Sequence, residues 1–159
     1  MSIELTVNGT TVSVTVADDV PLLDVLRNHL DLKGSRYGCG LEQCGSCMVL
    51  IDGKAEYSCT REIAAVAGKR VETVESLESH PLRRAFLDEQ AGQCGYCLSG
   101  ILMSAKALLD SNKDPSRAEI AAALDGNLCR CGAHPRILRA VAKAAAALRA
   151  PASNQGASA

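Results

Sequence analysis

The sequence has no tryptophan, one phenylalanine and three tyrosines, so aromatics make up only 3 % of it. Its core must therefore be aliphatic, and it offers no aromatic platform on which nucleic-acid bases could stack. An excess of either charge is also missing: 17 Lys and Arg against 18 Asp and Glu leave a formal net charge of −1. A chain without a basic field does not draw nucleic acid or an anionic bilayer to itself, so neither is expected as a partner. Long apolar runs are lacking too. The longest fall far short of the roughly 20 residues a membrane-spanning helix needs, and no direct membrane insertion is expected. Met1-Ser2-Ile3-Glu4 shows neither the basic nor the hydrophobic region of an export signal. The expectation is a cytoplasmic chain, membrane-associated or exported only through a partner subunit. The three histidines, His29, His80 and His134, have no carboxylate or thiol constellation around them in sequence. His134 reads as a helix-start or interface residue and the other two as surface residues.

What the sequence does have is eight cysteines in 159 residues. That density is below that of a small disulfide scaffold, and in a reducing compartment clustered cysteines are more often metal ligands.

The first half has a period of two. Ile3, Leu5 and Val7 alternate with polar residues, Asn8-Gly9 makes a turn, and Val12, Val14 and Val16 alternate again, which predicts a hairpin. Pro21 opens a helix with Leu22, Leu23, Val25, Leu26 and Leu30 as one apolar stripe. A glycine-rich loop runs from Gly34 to Cys47. A second hairpin follows from Met48 to Cys59 around Asp52-Gly53, and Val71 to Val74 adds a strand. From about Ser79 the period becomes 3.6. Pro81 starts a helix with Leu82, Ala85 and Phe86; Leu98, Ile101, Leu102, Ala105, Leu108 and Leu109 line a second. Ser116 and Glu119 match a capping box for a third, stopped near Gly126, and Pro135 begins a fourth carrying Ile137, Leu138, Val141 and Leu148. The expectation is an α+β chain: a small sheet domain over residues 1–75, a boundary at 75–80, a helical bundle over 80–149, and a disordered tail over 150–159.

Cys39, Cys44 and Cys47 are spaced C-x4-C-x2-C, with Cys59 after eleven intervening residues. This triplet is the spacing of plant-type [2Fe–2S] ferredoxins. Wrapping three thiolates around a small anionic group needs sharp turns and close backbone approach, which Gly38, Gly40 and Gly45 permit. Loop N–H groups can then stabilise the negative charge. Structural zinc sites usually use two C-x2–4-C knuckles instead, and merely buried cysteines have no reason to keep ligand spacing.

The helical half holds Cys94-Gly95-Tyr96-Cys97 and, after 31 intervening residues, Cys129-Arg130-Cys131. Each pair precedes a predicted helix, whose free N–H groups and dipole suit an anionic group. Taken alone, this set is also compatible with zinc or a disulfide. Since the eight cysteines fall into two complete sets of four, a second [2Fe–2S] site is the consistent reading.

The segments Tyr37-Gly38-Cys39-Gly40-Leu41-Glu42-Gln43-Cys44-Gly45-Ser46-Cys47, Gln93-Cys94-Gly95-Tyr96-Cys97 and Gly126-Asn127-Leu128-Cys129-Arg130-Cys131 resemble the small iron–sulfur subunit of the xanthine oxidase family of molybdenum hydroxylases. The resemblance runs in order from about residue 2 to residue 149. It implies an N-terminal ferredoxin-like β-grasp domain and a C-terminal four-helix bundle, each holding one [2Fe–2S] cluster. It also implies a large partner subunit carrying molybdenum on a molybdopterin dinucleotide, often the cytosine form in bacteria. That subunit hydroxylates an N-heteroaromatic or aldehyde substrate with oxygen from water. By the same match, Gln93 and Cys131 are expected near the partner's pterin, and the bundle cluster is the nearer of the two to it. Gln93 also has a plainer reading, as a helix-start residue bonding the backbone.

Cys129-Arg130-Cys131-Gly132-Ala133-His134-Pro135 departs from the Cys-Arg-Cys-Thr-Gly-Tyr of xanthine dehydrogenases. It resembles the nicotinate and isoquinoline dehydrogenase branch, whose acceptor is commonly a cytochrome c subunit rather than an FAD subunit. Two other functions fit the cysteine content: a stand-alone ferredoxin-type shuttle, against which near-neutral charge and the added helices argue, and a zinc-stabilised assembly module.

Overall fold

The computed structural model describes residues 2–150, so the expected tail lies outside the described residues apart from Ala150. Strands β1 (Ser2–Val7) and β2 (Thr10–Thr15) form the first hairpin, with Ile3 opposite Val14 and Leu5 opposite Val12. Asn8 (φ 49°) and Gly9 (φ 83°) are both left-handed, as a two-residue turn matched to strand twist requires. Asp52 and Gly53 repeat this geometry between β3 (Met48–Ile51) and β4 (Lys54–Tyr57). β5 (Arg70–Glu72) enters between the hairpins, parallel to β1 and antiparallel to β3, giving the order β2-β1-β5-β3-β4. All four residues of β3 are buried, so it lacks the alternation of a strand with one wet face.

Three sequence expectations change in detail. The helix after Pro21 is regular only as α1 (Leu22–Asp24) and continues as a wider π turn over Val25–His29. There the N–H of Leu30 returns to the Val25 carbonyl (3.1 Å) and that of Leu32 to Leu26 (2.8 Å), closing the helix instead of extending it. The stripe still faces the core, with Leu22, Val25 and Leu26 buried. β4 stops two residues before Cys59 because Ser58 turns inward. Its hydroxyl donates to the Cys47 carbonyl (2.6 Å), and its carbonyl accepts from Leu23 N–H (2.9 Å). β5 stops at Glu72 because the N–H of Thr73 donates to the Asn8 side chain (2.8 Å), which in turn donates to the Thr73 hydroxyl (2.9 Å).

Four helices make the second half: α2 (Pro81–Asp88), α3 (Leu98–Ser111), α4 (Arg117–Ala123) and α5 (His134–Arg149). Leu82, Phe86, Ile101, Leu109, Ile120, Ile137 and Val141 form their shared core, and Ala140, Ala144 and Ala145 let α5 approach closely. The Ser116–Glu119 capping box is present on α4, which ends at Ala123, before Gly126. His80 is a half-buried cap, not a surface bystander: its Nδ1 accepts from the N–H of Leu82 (3.1 Å) at the start of α2. The two halves share a seam in which Met103 of α3 packs with Met48 and Leu50 of β3 and with Leu77. Lys106 reaches across it to Glu72 (3.2 Å). No described helix is long and apolar enough to cross a membrane.

Candidate metal centres

The loop before β3 is shaped by three left-handed residues, Gly40 (φ 68°), Glu42 (φ 57°) and Gly45 (φ 73°). Gly38 has a different constraint. A Cβ there would lie 2.6 Å from Cys44 Sγ, so only glycine lets the backbone pass the sulfur. The N–H groups of Leu41 and Gln43 both donate to Cys39 Sγ at 3.3 Å, and that of Cys39 donates to Cys44 Sγ at 3.3 Å. Cys47 and Cys59 lie deeper, both buried and packed in one cluster with Leu23.

Electrostatics separate the two pairs. The N–H groups of Gln43 and Leu41 bring the Cys39 thiol down to about 7 from its ordinary 9.0. Burial, helped by Cys59, pushes Cys47 up to about 11. Cys39 is thus poised as a thiolate near neutral pH, whereas Cys47 needs a compensating positive charge to become one.

The second set repeats this pattern. Cys97 caps α3 and is buried; burial and then the neighbouring Cys129 thiol push it up to about 12. For Cys129 burial acts upward, but the N–H groups of Ala133, Cys131 and Gly132 outweigh it and lower its pKa. These N–H groups belong to the turn leading into α5, the arrangement expected of a helix start facing an anionic site. Cys94 is exposed, held low by the N–H of Tyr96 and then by Cys131, whose Sγ is 3.5 Å away. The Gln93 side chain is exposed and donates to the Cys131 carbonyl at 3.0 Å. Gln93, Cys94 and Cys131 therefore share one open edge of the site.

The structure sets Cys39 beside Cys44, and Cys47 in one buried cluster with Cys59. It sets Cys94 beside Cys131, with Cys97 in the helical core and Cys129 packed against it. Among the described residues, no three His, Cys, Asp or Glu side chains are arranged to hold a single ion. All-thiol donors and N–H groups aimed at sulfur fit a binuclear iron–sulfur group at both sites, with two thiolates for each iron, and at the first site Gly38 leaves the room beside Cys44 that such a group needs.

Sequence reasoning missed how the two sites touch. Leu128 N–H donates to the Cys44 carbonyl (2.9 Å), the Asn127 amide to Gly45 (3.3 Å) and the Ser99 hydroxyl to Ser46 (3.3 Å). A Cβ on Gly100 of α3 would overlap the Gly45 carbonyl oxygen. Arg36 donates to the Gly95 carbonyl (3.0 Å) and lies 5.2 Å over the Tyr96 ring, while Tyr96 donates to the Tyr37 carbonyl. These partners are about 50 to 80 residues apart, so no local pattern announces them.

Comparison with known proteins agrees with this geometry. Residues 5–77 match the 2Fe-2S iron-sulfur cluster binding domain, and residues 71–142 match the [2Fe-2S] binding domain. A nicotinate dehydrogenase subunit of Pseudomonas putida is 52 % identical over 154 residues, covering 94 % of this chain and 98 % of that one. The alpha subunit of isoquinoline 1-oxidoreductase from Brevundimonas diminuta is 50 % identical over 147 residues, covering 90 % and 97 %. Among solved structures, quinoline 2-oxidoreductase from Pseudomonas putida 86 superposes with a TM-score of 0.90 at 37 % identity, covering 94 % of this chain and 96 % of that one. At this identity over nearly the full length of both partners, the chain belongs to the small iron–sulfur subunits of the xanthine oxidase family of molybdenum hydroxylases.

Proposed function

We propose that the chain relays electrons from a molybdopterin centre on a large partner subunit to an external acceptor through two [2Fe–2S] clusters. Cys39, Cys44, Cys47 and Cys59 hold one, and Cys94, Cys97, Cys129 and Cys131 hold the other. The observation that carries this reading is the grouping of thiols in pairs, Cys39 beside Cys44, Cys47 clustered with Cys59, and Cys94 Sγ 3.5 Å from Cys131 Sγ. Tetrahedral zinc gathers its thiolates about one point, whereas a binuclear iron centre takes two at each metal. When bound, such a centre accepts and gives up one electron at a time.

The chain's own part is to hold, shield and orient. Backbone N–H groups stabilise the outer thiolates, burial keeps water from Cys47 and Cys97, and the carbonyl contacts hold the two loops against each other. The open edge bearing Gln93, Cys94 and Cys131 is the face toward the partner's pterin, where the Gln93 amide is positioned by the Cys131 carbonyl. Exposed Tyr37 and Leu41 beside the first set suit an interface on the acceptor side, with a cytochrome c subunit or an FAD subunit. The relatives act, by their names, on nicotinate, isoquinoline and quinoline. An N-heteroaromatic substrate, bound on the large subunit, is the corresponding reading here, with the pterin as the cytosine dinucleotide.

Purification with its partners tests this. The complex should be red-brown, contain about four irons per copy of this chain and show two reducible paramagnetic signals. A colourless complex containing zinc overturns the redox reading. The copurifying polypeptides, and whether one contains haem or flavin, identify the acceptor.

A further inference from the structure

Three consecutive carbonyls of the first cysteine loop, those of Cys44, Gly45 and Ser46, each accept a hydrogen bond from the helical half. The middle one is held by a side chain that stands two residues before Cys129 of the other thiol set. We infer that Asn127 is a positioning residue for the first site, not for the second one beside it in sequence. The inference rests on the two-site reading above.

Asn127 is only 7 % exposed, and its amide is used on one side alone. Nδ2 donates to the Gly45 carbonyl, whereas Oδ1 is buried without a partner among the described residues. Turning the amide over would set two oxygens face to face, so the Gly45 contact fixes its orientation. A buried acceptor left unpaired works against folding. Satisfying its own surroundings therefore does not account for this residue, and the single bond to Gly45 does.

Gly45 cannot steer its own peptide. It is left-handed (φ 73°), and a Cβ there would press on the Asn127 amide and the Gly126 carbonyl. The Gly45 carbonyl also closes a turn with Met48 N–H (3.1 Å), and the Ser46 carbonyl also accepts from Arg36 N–H (3.1 Å). The loop between Cys44 and Cys47 is thus held from within the sheet half, and Asn127 and Ser99 add a second donor to each of these carbonyls from the helical half. In a trans peptide the carbonyl and N–H point in opposite directions. Drawing the Cys44, Gly45 and Ser46 carbonyls toward the helical half aims the following N–H groups the other way, back across the cysteine loop. Hydrogen bonds around a cluster tune its potential and spectrum, so the Asn127 amide sets the signature of the first centre from the far side of the loop.

The test uses the full chain in its complex, with the two paramagnetic signals assigned by Cys47→Ser and Cys97→Ser, each of which should remove one. Asn127→Ala removes the donor, and Asn127→Asp keeps the shape but puts an oxygen against the Gly45 carbonyl. Both should shift the g values and midpoint potential of the first signal and speed loss of that site's iron to a chelator by about tenfold. The second signal should not move. Ser99→Ala, which removes the donor to Ser46, should give a smaller change in the same signal, and it decides by the same criterion if the Asn127 variants do not assemble. A change in the second signal, alone or to the same extent, overturns the inference, as does no change in either. A wild-type complex with a single signal overturns the two-site reading itself.

Discussion

The backbone N–H of Leu128 donates to the carbonyl of Cys44 over 2.9 Å, so one hydrogen bond joins the residue before Cys129 to a member of the other thiol set. Both partners are main-chain groups, and the contact holds whatever side chain stands at 128. The separation of the two sites is thereby set by backbone geometry, reinforced by the Asn127, Ser99 and Arg36 contacts on either side.

Gly100→Ala tests how closely α3 presses on the cysteine loop. In a free helix this change stabilises by roughly 0.5–1 kcal/mol. Here the added methyl overlaps the Gly45 carbonyl, so the sign reverses to a loss of about 1–3 kcal/mol. Thermal unfolding of the complex should show a lower Tm and less iron per chain. A raised Tm would mean that α3 stands clear of the loop.

Cys47→Ser should abolish one of the two paramagnetic signals, leave the other and block turnover with the outer acceptor. Cys47 is buried against Cys59, where a hydroxyl cannot replace the thiolate. If both signals persist unchanged, the ligand set of the first site is wrongly drawn.

Gln93→Ala should leave about four irons per chain yet alter the magnetic coupling between molybdenum and the second centre. The exposed side chain makes one bond, to the Cys131 carbonyl, and losing it costs about 0.5–1.5 kcal/mol. Low-temperature electron paramagnetic resonance checks this; unaltered splitting would place Gln93 away from the pterin path.

His80 predicts an acid-side weakness. Burial, and then Lys106, holds its pKa below the ordinary 6.5. The neutral form is therefore favoured in the folded state. Its contribution is fully present above the unfolded value of 6.5 and is lost as pH falls through the lower folded one. Protonation removes the Nδ1 acceptor that caps α2, a cap worth about 1 kcal/mol. His80→Asn, which keeps a capping oxygen, should flatten stability against pH in this range. An unchanged pH profile in urea unfolding would show that the cap is not responsible.

Much of the fold is legible in the sequence because its signals are local. Asn8-Gly9 and Asp52-Gly53 specify left-handed turns within two residues, Ser116 and Glu119 cap a helix within four, and Pro81 and Pro135 mark helix starts. The ends of β4 and β5 are not legible, because Ser58 and Thr73 leave the sheet for partners on α1 and at Asn8.

Residue spacing alone pointed to two sets of four cysteines, since three thiols on one short loop must lie close together and Cys94, Cys97, Cys129 and Cys131 remain as a second set. Only the tertiary structure decided which thiols of each set stand side by side, which are shielded and which open, and how Asn127, Leu128 and Gly100 seat one site on the other. These contacts join carbonyls and N–H groups present at every position. The sequence carries no mark of them until folding brings the chain segments together.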